Sequence, residues 1–300
     1  MTRRDIESMM NTPNLFIVGA AKAGTTSLYS YLLAHPEVFL SAKKETNYFS
    51  WQDILDQNLY YQTENITTAE SYQSLFSPVA GQKIIGEVSP SYLFYPKVAE
   101  RLYKFNPDAK IIILLRDPVA RAVSHYSMDK RLGYVNLQLE DIIHDKNQSH
   151  KMKLHYQQYI DLGMYTNQVR RYLDIFPQGQ IRIFEFDQLK KHPKIMMNQI
   201  SDFLDIDSQY EYPIEVVHNP NISPRFNFVK LLFQQPKLRN LVKATINPRW
   251  LNYVKQILFK HKSKQSISPD LELALWNLFK DDVKELQSVL KLDLSHWKKK

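Results

Sequence analysis

Two glycines, Gly19 and Gly24, bracket a lysine in the segment Gly19-Ala20-Ala21-Lys22-Ala23-Gly24-Thr25-Thr26-Ser27. The whole chain has only 7 glycines in 300 residues, where average usage of about 7% would give roughly 21. Each glycine is therefore expected where the backbone needs one. The segment follows a short apolar run, Asn14–Val18, and precedes Leu28, Tyr31 and Leu32 at helical spacing. A strand, a loop with glycines at both ends and a helix together make an anion site, because backbone N–H groups and the helix N-terminus converge on a phosphate. A nucleoside-triphosphate loop would carry lysine directly after the second glycine. Here Thr25 stands there, and Lys22 lies inside the loop. That position suits neutralising a leaving group without a magnesium ion. A P-loop nucleotide kinase is the alternative, and it would require the lysine after Gly24 and a magnesium-binding acid.

A second constellation is Arg116-Asp117-Pro118, which follows the apolar run Lys110–Leu115 (KIIILL), with Ser124 eight residues after the arginine. Arginine grips phosphate through two parallel hydrogen bonds. Proline after an Asp suits the first turn of a helix. Arg116 and Ser124 thus stand at a strand end and two turns into the following helix.

The elements that must position these groups are legible in outline. Strands are expected at Asn14–Val18, Lys83–Glu87, Lys110–Leu115 and Gln180–Phe184. Helices are expected from Thr25 to His35-Pro36, over Tyr95–Phe105, from Pro118, over Tyr165–Phe176 and Pro193–Leu204, and from Ser268-Pro269 to about Leu292. Leu271, Leu275, Leu278, Val283, Leu286 and Leu290 form the apolar stripe of the last helix. The run KIIILL is of the kind buried on both faces of a parallel sheet. Strands alternating with helices predict an α/β domain with a central, mainly parallel sheet. In such sheets ligands bind beyond the carboxyl ends of the strands, where Gly19–Thr26 and Arg116–Ser124 both fall.

The loop pattern G-x-x-K-x-G-T-[ST] resembles the 5′-phosphosulfate loop of sulfotransferases that use 3′-phosphoadenylyl sulfate (PAPS), and LLRDPVARAVSHY resembles their 3′-phosphate motif. HPEVFLSAKKETNYFS, GEVSPSYLFYP and VLKLDLSHW are similar to segments of the heparan-sulfate branch, so the resemblance spans about residues 12 to 297. It implies a single sulfotransferase domain over 1–300 with a three-layer P-loop-type α/β fold, and PAPS as co-substrate with no metal. It also implies site roles: Lys22, Ala23, Gly24, Thr25 and Thr26 on the 5′-phosphate, Arg116 and Ser124 on the 3′-phosphate, and Arg225, in a loop that closes over the nucleotide, on the 3′-phosphate or adenosine end. Glu45 matches the family's catalytic base, with Glu87 as the competing carboxylate. Asn47, Glu87, Ser89 and Tyr92 fall on the acceptor side. The sequence departs from the branch at two positions. Asn47 stands where a His is common, and Val88 where a Lys is common. Both changes point away from a highly sulfated polysaccharide and toward a less anionic sugar, a glycolipid or a small hydroxylated metabolite. Tyr48, Tyr92 and Tyr126 stand beside these motifs as core residues or sugar-stacking groups.

Composition narrows the rest. The chain has no cysteine, which excludes a disulfide framework and a thiolate metal site. Its nine histidines show no ligand spacing, and no nucleic-acid module appears. Residues 1–14 lack an apolar signal core, and the longest aliphatic run, Ile111–Leu115, is far shorter than a membrane span. A cytoplasmic protein is the expectation. Between Glu215 and Asp270, residues 216–269 hold no acid and ten of the 39 Lys and Arg, in a chain whose net charge is +8. Such a stretch suits peripheral contact with an anionic membrane, where a glycolipid acceptor would lie, or a solvated basic helical face.

Overall fold

The computed structural model describes residues 12–61, 66–77, 79–144, 149–215, 222–224, 259–261 and 267–298. Five parallel strands form the central sheet: β1 (Leu15–Gly19), β2 (Val38–Leu40), β3 (Ile84–Val88), β4 (Lys110–Leu115) and β5 (Ile181–Glu185). Their order is β2-β3-β1-β4-β5. The chain leaves β1 on one side for β2 and β3, then crosses back to β4 and β5. The strand order therefore reverses at β1, and the crevice beyond its carboxyl end is the topological switch point. The register puts Ile17 opposite Val88 and Gly19 opposite Ile113.

Helices flank the sheet. They are α1 (Thr25–Leu33), α2 (Trp51–Asp56), α3 (Ala69–Ser74), α4 (Val98–Phe105), α5 (Pro118–Leu132), α6 (Leu139–His144), α7 (His150–Tyr159), α8 (Tyr165–Ile175), α9 (Phe186–Lys191), α10 (Pro193–Leu204) and α11 (Pro269–Leu290). Ile111 to Leu114 of β4 are fully buried, as a strand covered on both faces requires. The four expected strands are present, shifted by at most one residue, and the α/β class stands. The short elements β2, α2, α3, α6, α7 and α9 were not expected. Most are six residues or fewer, too short for an apolar period to register. The helix expected from Tyr95 begins at Val98, because Pro96 holds the chain out of the helix before it.

The carboxyl-terminal region braces the site from behind. In α11 the buried stripe is Leu271, Leu275, Phe279, Val283 and Leu286; Phe279 fills the place expected of Leu278. Asp282 on the same helix accepts from the backbone N–H groups of Tyr165 (2.7 Å) and Thr166 (3.2 Å), and so caps α8. Beyond α11, Trp297 Nε1 donates to Glu185 Oε2 at 2.9 Å. Glu185 is the N-cap of α9 and forms a reciprocal capping box with Gln188. These contacts fix Phe186, the first residue of α9, against the phosphate loop. Among the described residues no helix is long and apolar enough to cross a membrane.

Candidate active site

The glycine–lysine loop joins β1 to α1 at the switch point, and both glycines are there for space. A Cβ on Gly19 would lie 2.6 Å from the Leu93 Cβ. A Cβ on Gly24 would lie 2.7 Å from the Phe186 ring, and Gly24 also sits at φ +95° as the N-cap of α1. Lys22 is left-handed as well, at φ +69°. The first turn of α1 has no acidic residue and no side-chain cap, so the N–H groups of Thr25 and Thr26 are left to an external acceptor, while Ser27 N donates to the Gly24 carbonyl at 3.0 Å. Thr25 is buried and Thr26 half-buried on this turn. Ala23 is buried beneath the loop.

Arg116 leaves the end of β4 beside this loop. Its Nη1 donates to the Lys22 carbonyl at 2.8 Å, and its guanidinium lies 4.7 Å over the Phe186 ring. Tyr165 Oη donates to the Arg116 carbonyl at 3.0 Å. Asp117 caps α5, accepting from Val119 N at 2.9 Å, and Pro118 occupies the first turn. Ser124 lies on α5, half-buried, two turns along. Arg121, one turn from the start of the same helix, is fully buried and donates to the carbonyls of Gln158 (3.0 Å) and Tyr159. The two arginines thus divide the work: Arg121 holds α7 and Arg116 faces the loop.

Lys22 sits in a crowded field. Burial pushes its ammonium down to about 8; Arg131 and Arg116 add to the fall, and Asp129 and Glu45 oppose it. Its Nζ lies 3.1 Å from Met128 Sδ. Asp129 is fully buried and accepts from the hydroxyls of Tyr60 (2.7 Å), Tyr61 (2.6 Å) and Tyr159 (2.8 Å). Met128, Asp129, Arg131 and Phe186 were missed as site residues in the sequence. Met128 and Arg131 lie four and seven residues beyond Ser124, on its face of α5, and Phe186 follows the expected end of β5, so the expected elements carried a usable signal for these three, and Asp129 carried none.

Glu45 enters from a loop on the other side of β1. It stands at φ +62°, its side chain is half exposed, and its carboxylate pairs with Lys44 at 2.5 Å. It also acts on Lys22 through space. Its segment is tied to the end of β3 and the turn that follows. Glu45 N donates to the Val88 carbonyl at 2.9 Å and Asn47 N to Ser89 Oγ at 3.2 Å. Ser91 Oγ donates to Asn47 Oδ1 at 2.7 Å, and Phe49 N to Tyr92 Oη at 3.2 Å. Thr46 Oγ1 donates to Glu87 Oε2 at 2.5 Å. Asn47, Glu87, Ser89 and Tyr92 are all buried. Glu87, Ser89 and Tyr92, three of the residues expected on the acceptor side, thus hydrogen-bond to the segment that runs from Glu45 to Phe49, of which Asn47 is itself a part. Burial raises the Glu87 carboxyl to about 7, against the opposing pull of the Thr46, Tyr92 and Tyr72 hydroxyls. Tyr48 stacks on Tyr72 at 4.3 Å, and Tyr126 donates to the Leu137 carbonyl at 3.0 Å; both belong to the packing.

Lys22, Arg116 and Glu45 are thus brought together at one crevice, with the α1 N-terminus. Arg225 lies outside the described residues, as does most of the acid-free stretch. Of that stretch, Ile222–Pro224 (β6) pairs antiparallel with Phe259–His261 (β7). Among the described residues no group of three or more metal-ligating side chains could hold an ion.

This geometry is that of a nucleotide-linked group transferase on a P-loop-type scaffold, and the sulfotransferase domain model matches residues 12–223. The chain belongs to the sulfotransferase family, which draws its sulfuryl group from PAPS. A sulfotransferase from Alicyclobacillus acidocaldarius superposes with a TM-score of 0.68 at 29% identity, covering 96% of this chain and 99% of its own. Mouse heparan sulfate glucosamine 3-O-sulfotransferase 5 is 28% identical over 205 residues, 66% of this chain and 56% of its own length. The membrane-associated sulfotransferase kil1 of Dictyostelium discoideum is 39% identical over 114 residues, 38% of this chain and 22% of its own length. The chain thus spans between about a fifth and just over half of these two curated relatives.

Proposed function

We propose that this chain moves the sulfuryl group of PAPS to a hydroxyl or amine of a carbohydrate or glycolipid acceptor, by in-line transfer. Glu45 takes the proton of the attacking hydroxyl as the new S–O bond forms. The old bond from sulfur to the bridging phosphate oxygen breaks, its electron pair stays on the leaving phosphate, and Lys22 stabilises that charge. The α1 N-terminus, with Thr25 and Thr26, holds the 5′-phosphate. Arg116 and Ser124 hold the 3′-phosphate, joined by Arg225. Little covalent help is needed. Positioning and a fixed positive charge supply most of such catalysis.

The observation that carries the reading is Lys22 itself. It stands within the loop between Gly19 and Gly24, its carbonyl is held by Arg116, and its ammonium lies in the field of Glu45. A base and a leaving-group cation on opposite sides of one crevice are what an in-line displacement needs. Acceptor screening with labelled PAPS tests the activity. Label should enter a neutral or weakly anionic saccharide, and transfer should be lost in Glu45→Gln; near-normal turnover in that variant removes Glu45 from the base role.

The glycolipid arm has its own support in the acid-free basic stretch of residues 216–269 and in the membrane-associated relative. Flotation with anionic liposomes checks it, with the protein rising at low salt and staying down with neutral vesicles.

A further inference from the structure

Glu87 is a carboxyl buried at the end of β3, 1% exposed. Burying such a group is costly unless its hydrogen bonds are used. Its Oε2 accepts from Thr46 Oγ1 at 2.5 Å. Thr46 is the neighbour of Glu45 and lies between two left-handed residues, Glu45 (φ +62°) and Asn47 (φ +52°). Such backbone is costly and persists only where the surroundings over-determine it. The surroundings here are the Glu87 carboxylate, the Val88 carbonyl, Ser89 Oγ and Tyr92 Oη, all from one continuous run of chain. That run is itself fixed. Ser89 N and Leu93 N donate to the carbonyls of Ile17 and Val18 in β1, at 3.1 and 2.8 Å, and Tyr172 Oη donates to the Tyr92 carbonyl at 2.8 Å. The strand that ends in the lysine loop therefore also sets the height of the loop that carries Glu45.

We propose that Glu87 is a positioning residue for the transfer step, holding Glu45 at the crevice through Thr46 and exchanging no proton with the acceptor. This rests on Glu45 being the base. The second oxygen of Glu87, Oε1, and the Tyr72 hydroxyl are both buried without a hydrogen-bond partner, and burial, followed by the charge of Glu87, pushes the Tyr72 phenol up. A glutamine at position 87 would keep an oxygen for Thr46 and offer an amide N–H to Tyr72, so the positioning role survives that change and a proton-transfer role does not.

The test measures kcat, KM for PAPS and the Kd of 3′-phosphoadenosine 5′-phosphate (PAP) for Thr46→Val, Thr46→Ser, Glu87→Gln and the Thr46→Val/Glu87→Gln double variant of the full chain. Thr46→Val should lower kcat about tenfold or more, with KM for PAPS and the Kd of PAP within about twofold. Thr46→Ser, which restores the hydroxyl, should recover most of that loss, and Glu87→Gln should lose only a few-fold. The double variant should be no worse than Thr46→Val, because both act through one hydrogen bond. A Glu87→Gln variant as dead as Glu45→Gln, or a Thr46→Val variant with unchanged kcat, overturns the proposal. A Glu45→Gln variant that turns over normally instead sinks the base assignment, so the two failures are distinguishable.

Discussion

Arg116 Nη1 donates to the main-chain carbonyl of Lys22 at 2.8 Å, so the arginine expected on the 3′-phosphate also holds the backbone of the lysine expected on the 5′-phosphate. Its guanidinium rests on Phe186, whose ring lies where a Cβ on Gly24 would be. One aromatic side chain thus packs against both Arg116 and the Gly24 turn.

Arg116→Lys keeps the charge but loses the planar fork and the stacking. It should weaken PAP binding about tenfold, ~1.4 kcal/mol, by calorimetric titration. Phe186→Ala should weaken it several-fold although Phe186 contacts no phosphate in this account.

Gly24→Ala places a side chain at φ +95° and against the Phe186 ring. Left-handed backbone alone costs about 1–2 kcal/mol. The variant should melt at least roughly 2–4 °C lower and lose PAP binding. Gly81→Ala is the matched control, at φ +87° with open space around it. It should carry the backbone cost and bind PAP normally.

The Lys22 ammonium is held down to about 8, and its protonated form is the one that stabilises the leaving phosphate. Below that pH the charge is present, and above it the charge is lost. A plot of kcat/KM for PAPS against pH reports the free enzyme, so it should fall on the alkaline side with a midpoint near 8. Asp129→Asn removes a charge that favours the ammonium, and the midpoint should move to lower pH.

Folded Glu87 titrates at about 7, against an ordinary value of 4.5. Its neutral form is favoured by folding, so its contribution to stability is full below 4.5 and is lost as pH rises through 7. Glu87→Gln removes that dependence. In thermal melts the variant should gain on the parent between about pH 5 and pH 7.5, and a constant difference across that range would contradict the buried, raised carboxyl.

The glycine loop, the Arg116 motif and four of the five strands were legible because each depends on local chemistry: a phosphate loop, a capped helix start, a run of aliphatic residues. The hydrogen bonds that tie Glu87, Ser89 and Tyr92 to residues 46–49 were not, because which buried polar groups pair depends on long-range packing. Glu87 and Thr46 are 41 positions apart, and no local pattern links them. The Asp129 cluster was hidden likewise, since its three tyrosines come from positions 30 and 68–69 residues away. The short elements β2 and α2 carry too few residues to show a period, yet they deliver the Glu45 segment to the sheet edge.

The most direct test of the central claim is transfer of labelled sulfuryl from PAPS by the parent chain and by Lys22→Ala, with folding checked by thermal melt. The account predicts label on a hydroxylated acceptor for the parent and a fall of about 10²–10³ or more in rate for a well-folded Lys22→Ala. A folded Lys22→Ala that transfers sulfuryl at the parental rate would contradict it.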